Sequence, residues 1–235
     1  MIKLTWLSHA TWLIEVEDRR VVLDPFLTEN PSATATVESL GEVTDVLISH
    51  GHFDHIADAV ELVRRNGAQV YTNYEVATWL GTQGVGGDAA PEPVGMNTGG
   101  GIDTGFGRLQ FTPAVHSSSL PDGSYGGVAG GWRIQTATIQ LYFACDTAWF
   151  GDMPFYARDV DLAVLPIGDL FTMGVDDSLA AIKLIEPKAV APSHYGTWPP
   201  INQDAETWAD RVRAETSAVP IVPEIGVPFM VPSSP

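Results

Sequence analysis

Asp45-Val46-Leu47-Ile48-Ser49-His50-Gly51-His52-Phe53-Asp54-His55 is an apolar run that ends in a cluster of metal-ligand side chains. Its first five residues are short and rich in β-branched members, so they read as a buried strand. The next six read His-x-His-x-Asp-His. From about Ile56 to Asn66 the apolar side chains fall at helical spacing and stop before Gly67, which predicts a helix. The cluster therefore lies in a tight connection between a strand end and a helix start, where three imidazoles and a carboxylate can turn towards one point. Imidazole suits zinc and its first-row neighbours, and the carboxylate keeps manganese or iron in range. Gly51 lets the backbone pass close to an ion. A lone His-x-His is a common accident; three His and an Asp directly after a buried strand are not.

Upstream, residues 2–7, 11–17 and 20–23 read as three strands, the last ending at Asp24-Pro25. Residues 26–42 carry no clear period and read as a loop lining a site. Downstream, 69–72 is a strand, 74–83 a helix, and the glycine-rich 84–107 a series of turns with short strands. A strand over 108–115 ends at His116. Strands at 130–135 and 139–144 form a hairpin ending at Cys145-Asp146, and a short helix spans 149–157. A strand at 162–166, a helix at 177–185 and a strand at 189–191 lead to Ser193-His194. The last long helix spans 205–214, with late strands at 219–222 and 227–231 and a frayed tail at Ser233–Pro235. Strands open each half and helices follow, which predicts an α+β fold of two packed mixed sheets with helices outside, one domain over residues 1–235.

His50, His116, Asp146 and His194 each stand just past an apolar strand, and such residues converge along one rim of a sheet. With His52, Asp54 and His55 they form a seven-member set, enough for two ions. The formal net charge of −17 argues against a nucleic-acid partner, which would need clustered Lys and Arg. A small substrate is expected instead, an anionic one included, because two dications reverse the local field. No run approaches the ~18 apolar residues of a membrane span. The opening residues lack signal-peptide features, and a single cysteine excludes an internal disulfide, so the expected compartment is the cytoplasm. The reading leaves a homo-oligomer open.

These positions carry a resemblance. Asp24 after the third strand, the His50–His55 motif, then His116, Asp146 and His194 in that order resemble the metallo-β-lactamase superfamily over nearly the whole chain. The segments Trp6-Leu7-Ser8-His9-Ala10, Ala114-Val115-His116-Ser117-Ser118, Pro166 to Gly174 and Ser193-His194-Tyr195-Gly196-Thr197 look like its group of metal-dependent hydrolases related to L-ascorbate-6-phosphate lactonase. The resemblance implies a four-layer αββα sandwich with the metals at one sheet edge. It implies that His50, His52 and His116 hold one ion, that Asp54, His55 and His194 hold a second, and that Asp146 bridges them. Zinc is the first expectation, with manganese, iron or nickel as alternatives. The family's usual loop after His116 is altered around Gly126–Gly131 in this chain. Cys145 precedes the Asp position and, by strand alternation, faces away from Asp146.

The mechanism expected from such a set is a metal-bridging hydroxide attacking an ester, lactone or phosphodiester bond. Asp54 is a candidate catalytic residue that orients the nucleophile. His9 is the second candidate, read equally as a substrate donor or proton shuttle and as a structural imidazole. Asp24 is expected to orient a ligand histidine. Asp169 and Tyr195 are weaker candidates, and Trp149, Phe171, Met173 and Trp198 either wall a pocket or pack in the core. Two rival readings are a di-iron redox enzyme of the same fold and a non-catalytic metal-binding protein. The first calls for a flavin partner and more carboxylates, and the second for a closed four-ligand site.

Overall fold

The computed structural model describes residues 2–88 and 90–231, so the tail expected at Ser233–Pro235 lies outside the described residues. The first half runs β1 (Ile2–Trp6), β2 (Trp12–Val16), β3 (Arg19–Leu23), β4 (Asp45–Leu47), α1 (Phe53–Ile56), α2 (Ala59–Asn66), β5 (Gln69–Asn73), α3 (Tyr74–Thr82) and β6 (Val94–Met96). The second runs β7 (Gly101–Thr104), β8 (Gly107–Pro113), β9 (Gly130–Gln135), β10 (Gln140–Phe143), α4 (Pro154–Ala157), β11 (Leu162–Pro166), α5 (Val175–Ile185), β12 (Ala189–Ser193), α6 (Ala205–Glu215), β13 (Val219–Pro220) and β14 (Pro228–Met230).

The strands form two seven-stranded sheets, ordered β14-β1-β2-β3-β4-β5-β6 and β13-β12-β11-β10-β9-β8-β7. In the first, β1, β2 and β3 alternate in direction and β3 to β6 are parallel. In the second, β7 to β10 alternate and β10 to β13 are parallel. Both sheets are therefore mixed, as expected.

Side-chain alternation builds the layers, because successive strand residues point to opposite faces. Trp12, Ile14 and Val16 of β2 meet Leu141 and Phe143 of β10 and Leu162 and Val164 of β11 in the core between the sheets. The intervening Leu13, Val22, Val46 and Val70 turn outwards and pack under α2 and α3. On the other side Tyr142, Ala163, Leu165 and Val190 pack under α4, α5 and α6, with Trp208 fully buried among them. Strands covered on both faces read as near-continuous apolar runs, as β4 and β11 do. The result is the four-layer αββα arrangement.

Local chemistry sets the element ends. Asn73 caps α3 by accepting from the Val76 N–H at 2.8 Å. Asp204 caps α6 by accepting from the Glu206 and Thr207 N–H groups. The helix expected over Ile56–Asn66 differs in one respect: it is broken at Asp58, and a separate single turn, α1, carries Asp54 and His55. The cause is tertiary. The Asp58 carboxylate accepts from the Leu27 N–H at 2.6 Å and the Thr28 N–H at 3.1 Å, anchoring the long loop after β3. The helix expected over 149–157 shortens to Pro154–Ala157. Among the described residues no helix is long and apolar enough to cross a membrane.

Candidate metal centre

Six candidate side chains follow six strand ends. His9 lies beyond β1, Asp24 beyond β3, His50 beyond β4, His116 beyond β8, Asp146 beyond β10 and His194 beyond β12. β1 and β3 both run antiparallel to β2, and β3 runs parallel to β4, so these three point the same way. The same reasoning holds for β8, β10 and β12. All the candidates in a sheet therefore emerge at one edge. Several turns there are sharp: His9, Asp24, Cys145 and His194 sit in the left-handed region with φ of 55°, 46°, 52° and 52°. Non-glycine residues held there are uncommon and gather at functional sites.

The two sheets are stitched together at this edge by one carbonyl. His9 O accepts from Trp6 Nε1 at 2.8 Å, from the His194 N–H at 2.9 Å and from Ser193 Oγ at 3.1 Å. The left-handed turn at His9 thus has a backbone task in addition to whatever its ring does.

Three groups of ligand-type atoms converge, each within 4.8 Å: His50 with His52 and His116; His50 with His55 and Asp146; and His9 with Asp54, His55 and His194. The His50 Nε2 and His52 Nδ1 atoms are 2.9 Å apart. Asp146 Oδ2 lies 3.6 Å from His116 Nε2, 3.3 Å from His55 Nε2 and 3.1 Å from His194 Nε2. The structure thus brings together all seven residues of the expected set. Cys145 belongs to none of these groups, and its Sγ lies 3.7 Å from the Phe143 carbonyl.

Asp24 organises two of the imidazoles from behind. Its Oδ1 accepts from the Ser49 N–H at 2.7 Å, and its Oδ2 from Ser49 Oγ at 2.7 Å and His55 Nδ1 at 2.9 Å. A hydroxyl has one proton. Ser49 gives it to Asp24 and so accepts from His50 Nδ1, 2.9 Å away. In its neutral form each ring then has a bare Nε2 facing the centre, the tautomer a metal ligand requires. Asp24→Asn places an amide N–H against one of these donors. We expect it to weaken metal retention by about tenfold, measured by competition with a chelator of known affinity. Unchanged retention would mean the relay does not set the tautomers.

The electrostatics divide the histidines. Burial, then His55, holds His50 and His52 below the ordinary imidazole range, and burial does the same for His116. Burial also works against a proton on His194, but Asp146 outweighs it and lifts that imidazole to about 9. His55 is likewise raised against its burial by Asp146, Asp54 and Asp24. Burial penalises the Asp54 charge too, yet His55, His194 and His9 hold its carboxyl far below the usual range.

A divalent cation fits this donor set. His55 Nε2, His194 Nε2 and Asp146 Oδ1 are buried without a hydrogen-bond partner, although such atoms normally have one. They belong to a cluster of imidazoles and carboxylates in which, among the described residues, Asp54 and Asp146 form ion pairs with histidines.

His9 is fully buried, with its ring 4.0 Å from His194 and 4.9 Å from Trp198. Burial, followed by His194, lowers its pKa to about 4, so the ring is neutral at pH 7. Its Nε2 is 3.0 Å from Asp54 Oδ2 and its Nδ1 2.9 Å from Thr197 Oγ1. A carboxylate only accepts, so the neutral ring donates from Nε2 to Asp54 and accepts at Nδ1 from Thr197. Both ring nitrogens are committed.

A cleft of about 520 Å³ opens over the centre. His52, Asp54, His116, Asp146 and His194 form its polar floor, and Phe53, Ser117, Phe171, Trp198 and Pro200 line the rest. His9 is not among its lining residues. Of the other candidates, Met173 packs in the core, and Tyr195 stacks on Trp6 at 5.0 Å. Asp169 accepts from the Leu170 N–H at 2.9 Å and shapes its own loop. Trp149 is exposed and outside the cleft lining. The sequence alone assigns no role to Ser49, Thr197 or Gly168, although all three lie in stretches that carry the motif or the resemblance. Gly168 is needed for space: a Cβ there would collide with the His194 carbonyl oxygen. Gly168→Ala is therefore expected to cost about 1–3 kcal/mol, read from the urea midpoint, as overpacking does. An unshifted midpoint would show that the His194 turn yields freely.

The profile of the β-lactamase superfamily domain matches residues 19–195. A UPF0173 metal-dependent hydrolase of Thermus thermophilus is 43% identical over 216 residues, which cover 91% of this chain and 92% of that protein. The structure of Igni18, described as a novel metallo hydrolase from the hyperthermophilic archaeon Ignicoccus hospitalis, has a TM-score of 0.85 and 34% identity, covering 97% of this chain and 98% of that one. CmlA, a diiron β-hydroxylase from Streptomyces venezuelae, shares the fold alone, with a TM-score of 0.71 and 13% identity over 93% of this chain and 52% of that one.

Proposed function

This chain belongs to the β-lactamase superfamily and, within it, to the UPF0173 metal-dependent hydrolases, and from that premise we propose a two-ion hydrolase acting on an ester, lactone or phosphodiester bond of a small molecule. The observation that carries the reading is the position of Asp146. A single oxygen of this carboxylate lies within 3.6 Å of His116 on one side and within 3.3 Å of His55 and His194 on the other. That position supports a bridge between two sets of ligands.

In this assignment His50, His52 and His116 would hold one ion, Asp54, His55 and His194 would hold the other, and Asp146 would serve both. Zinc suits the imidazole-rich set best, with manganese, iron or nickel next. Ions bound there supply Lewis acidity and a water acidic enough to act near neutral pH.

The chain's own groups do the rest. Asp54 lines the cleft, and its carboxylate is fixed from behind by the His9 N–H. It is the group that aims the attacking water by accepting a hydrogen bond from it. His9, with both nitrogens occupied and no face on the cleft, acts through Asp54 as a positioning residue. Water adds to the acyl carbon or phosphorus, the bond to the leaving oxygen breaks, and that oxygen takes up a proton.

The fold also hosts di-iron oxidation, so architecture alone does not choose the reaction. The donor set favours hydrolysis: five imidazoles and two carboxylates are less carboxylate-rich than a di-iron site calls for. A purely structural site would close around four ligands, and this one opens on a cleft. The test is elemental analysis of protein purified without chelator, followed by a panel of lactones, esters and phosphodiesters. The expected result is close to two transition-metal ions per chain and turnover of at least one class. Metal-free protein that takes up no ion on titration, or loaded protein inert across the panel, overturns the reading.

A further inference from the structure

The walls of the cleft differ sharply from its floor. Apart from Ser117 they are Phe53, Phe171, Trp198 and Pro200. None of the 12 Lys and Arg residues of the chain lines the cleft. Several are committed elsewhere: Lys3 and Arg20 pair with Glu15, Arg19 with Asp45, Arg158 with Glu186 and Lys183 with Glu215. A phosphate or carboxylate handle on a substrate would therefore find no cationic side chain to receive it. It would also approach a chain whose formal net charge is −17.

The apolar walls are held in place before anything binds. Phe53 is 51% exposed and Phe171 54%, unusual for large aromatic side chains beside a polar floor. Phe53 packs edge-on against Phe26 at 5.8 Å and lies 6.1 Å from Trp198, which in turn rests 5.9 Å from Phe26. Phe171 sits on a turn whose preceding residues, Asp169 and Leu170, are both left-handed, with φ of 62° and 48°. The turn is pinned behind by the Met173 N–H donating to Thr147 O at 2.9 Å and by the buried Met173 side chain. The rings of Phe53 and Trp198, fixed in this way, and a Phe171 carried on a pinned turn lose less freedom on binding, so the contact they make converts more fully into affinity.

We propose that the substrate is electrically neutral and carries an apolar arm of several carbons, an alkyl or aryl ester or lactone, seated against Phe53, Phe171 and Trp198 with its scissile carbonyl over the His and Asp floor. This rests on the hydrolase reading and narrows it. Phosphodiesters and other anionic substrates fall outside the class. In the reaction, water oxygen bonds to the acyl carbon, the ester C–O bond breaks, and the alkoxide takes a proton, giving an acid and an alcohol.

The experiment uses metal-loaded protein and p-nitrophenyl esters from acetate to octanoate, with the mono-p-nitrophenyl ester of suberic acid as the anionic counterpart of the octanoate. Each methylene buried against the walls is expected to raise kcat/KM about threefold over the first few carbons. The terminal carboxylate should remove at least about tenfold relative to the neutral ester of equal length. In Phe171→Ala the dependence on chain length should flatten. A second measurement needs no turnover: the dissociation constants of straight-chain hydroxamic acids, which chelate metal, should fall by a similar factor per carbon in the wild type and by less in Phe171→Ala. A flat series in either measurement, or preference for the carboxylate-bearing ester, overturns the proposal. Ester turnover with no slope upholds the hydrolase reading and overturns this one. A hydroxamate slope in protein that hydrolyses nothing upholds the apolar-arm site and overturns the hydrolase reading.

Discussion

Asp54→Asn is expected to lose at least about 100-fold in activity per bound metal, the low end of what a positioned acid-base group contributes. The substitution is nearly isosteric, so α1 and the cleft floor keep their shape. The His9 N–H, 3.0 Å from Asp54 Oδ2 in the wild type, can still donate to the amide oxygen of Asn. What disappears is the charge and the second acceptor oxygen. Metal binding also weakens, because a negative group leaves a site that His55, His194 and His9 now hold fully ionised. The comparison is therefore made at saturating metal, with metal content and turnover determined on the same samples. If the variant keeps its metal and turns over near the wild-type rate, Asp54 is a ligand and nothing more, and the nucleophile is aimed by another group.

The centre was legible in the sequence because its chemistry is locally dense. Five of the seven proposed ligands are histidines, in a chain with only six. Four of the seven fall between His50 and His55, directly after a buried strand. The other three follow apolar runs at 108–115, 139–144 and 189–191, and strand ends pointing one way must meet at one edge. The layers were legible for a related reason: alternation within β2 and the continuous apolar run of β11 state which faces are covered.

Other features have no local signature. Ile56, Ala59, Leu62 and Val63 keep one apolar face whether or not the helix breaks at Asp58, and the break is imposed by Leu27 and Thr28 some 30 residues away. The Ser49 relay depends on which proton a hydroxyl gives away, which composition does not state. Thr197 earns its place only through a ring 188 residues distant. Gly168 matters for the approach of a single carbonyl. Phe171 and Met173 are two residues apart and equally apolar, yet one lies on the cleft and the other in the core, a difference their spacing does not state.

Stripping the protein of metal is expected to lower its Tm by about 8–16 °C without unfolding it at room temperature. A ligand present at 1,000 times its dissociation constant stabilises by about 4.1 kcal/mol. In a chain of this size each kcal/mol moves Tm by about 2–4 °C. The stabilisation has an identifiable local origin. His55 Nε2, His194 Nε2 and Asp146 Oδ1 are buried with no hydrogen-bond partner, and Asp54 and Asp146 crowd the same few ångströms. A dication pairs with all of them at once. The stripped protein stays folded for two reasons. Its sheet-to-sheet core, centred on Trp12, Trp132, Phe111 and Phe143, does not depend on the centre. Asp146 also keeps His194, despite its burial, protonated up to about 9, so an imidazolium replaces part of the missing cation charge at neutral pH. Asp146→Asn should abolish most of the metal-dependent shift, because the one carboxylate oxygen that reaches both sets of ligands is gone. Scanning calorimetry on chelated, reloaded and Asp146→Asn protein measures this directly. Coincident transitions for chelated and reloaded wild type, with two ions verified in the reloaded sample, would show that the centre contributes nothing to the fold that surrounds it.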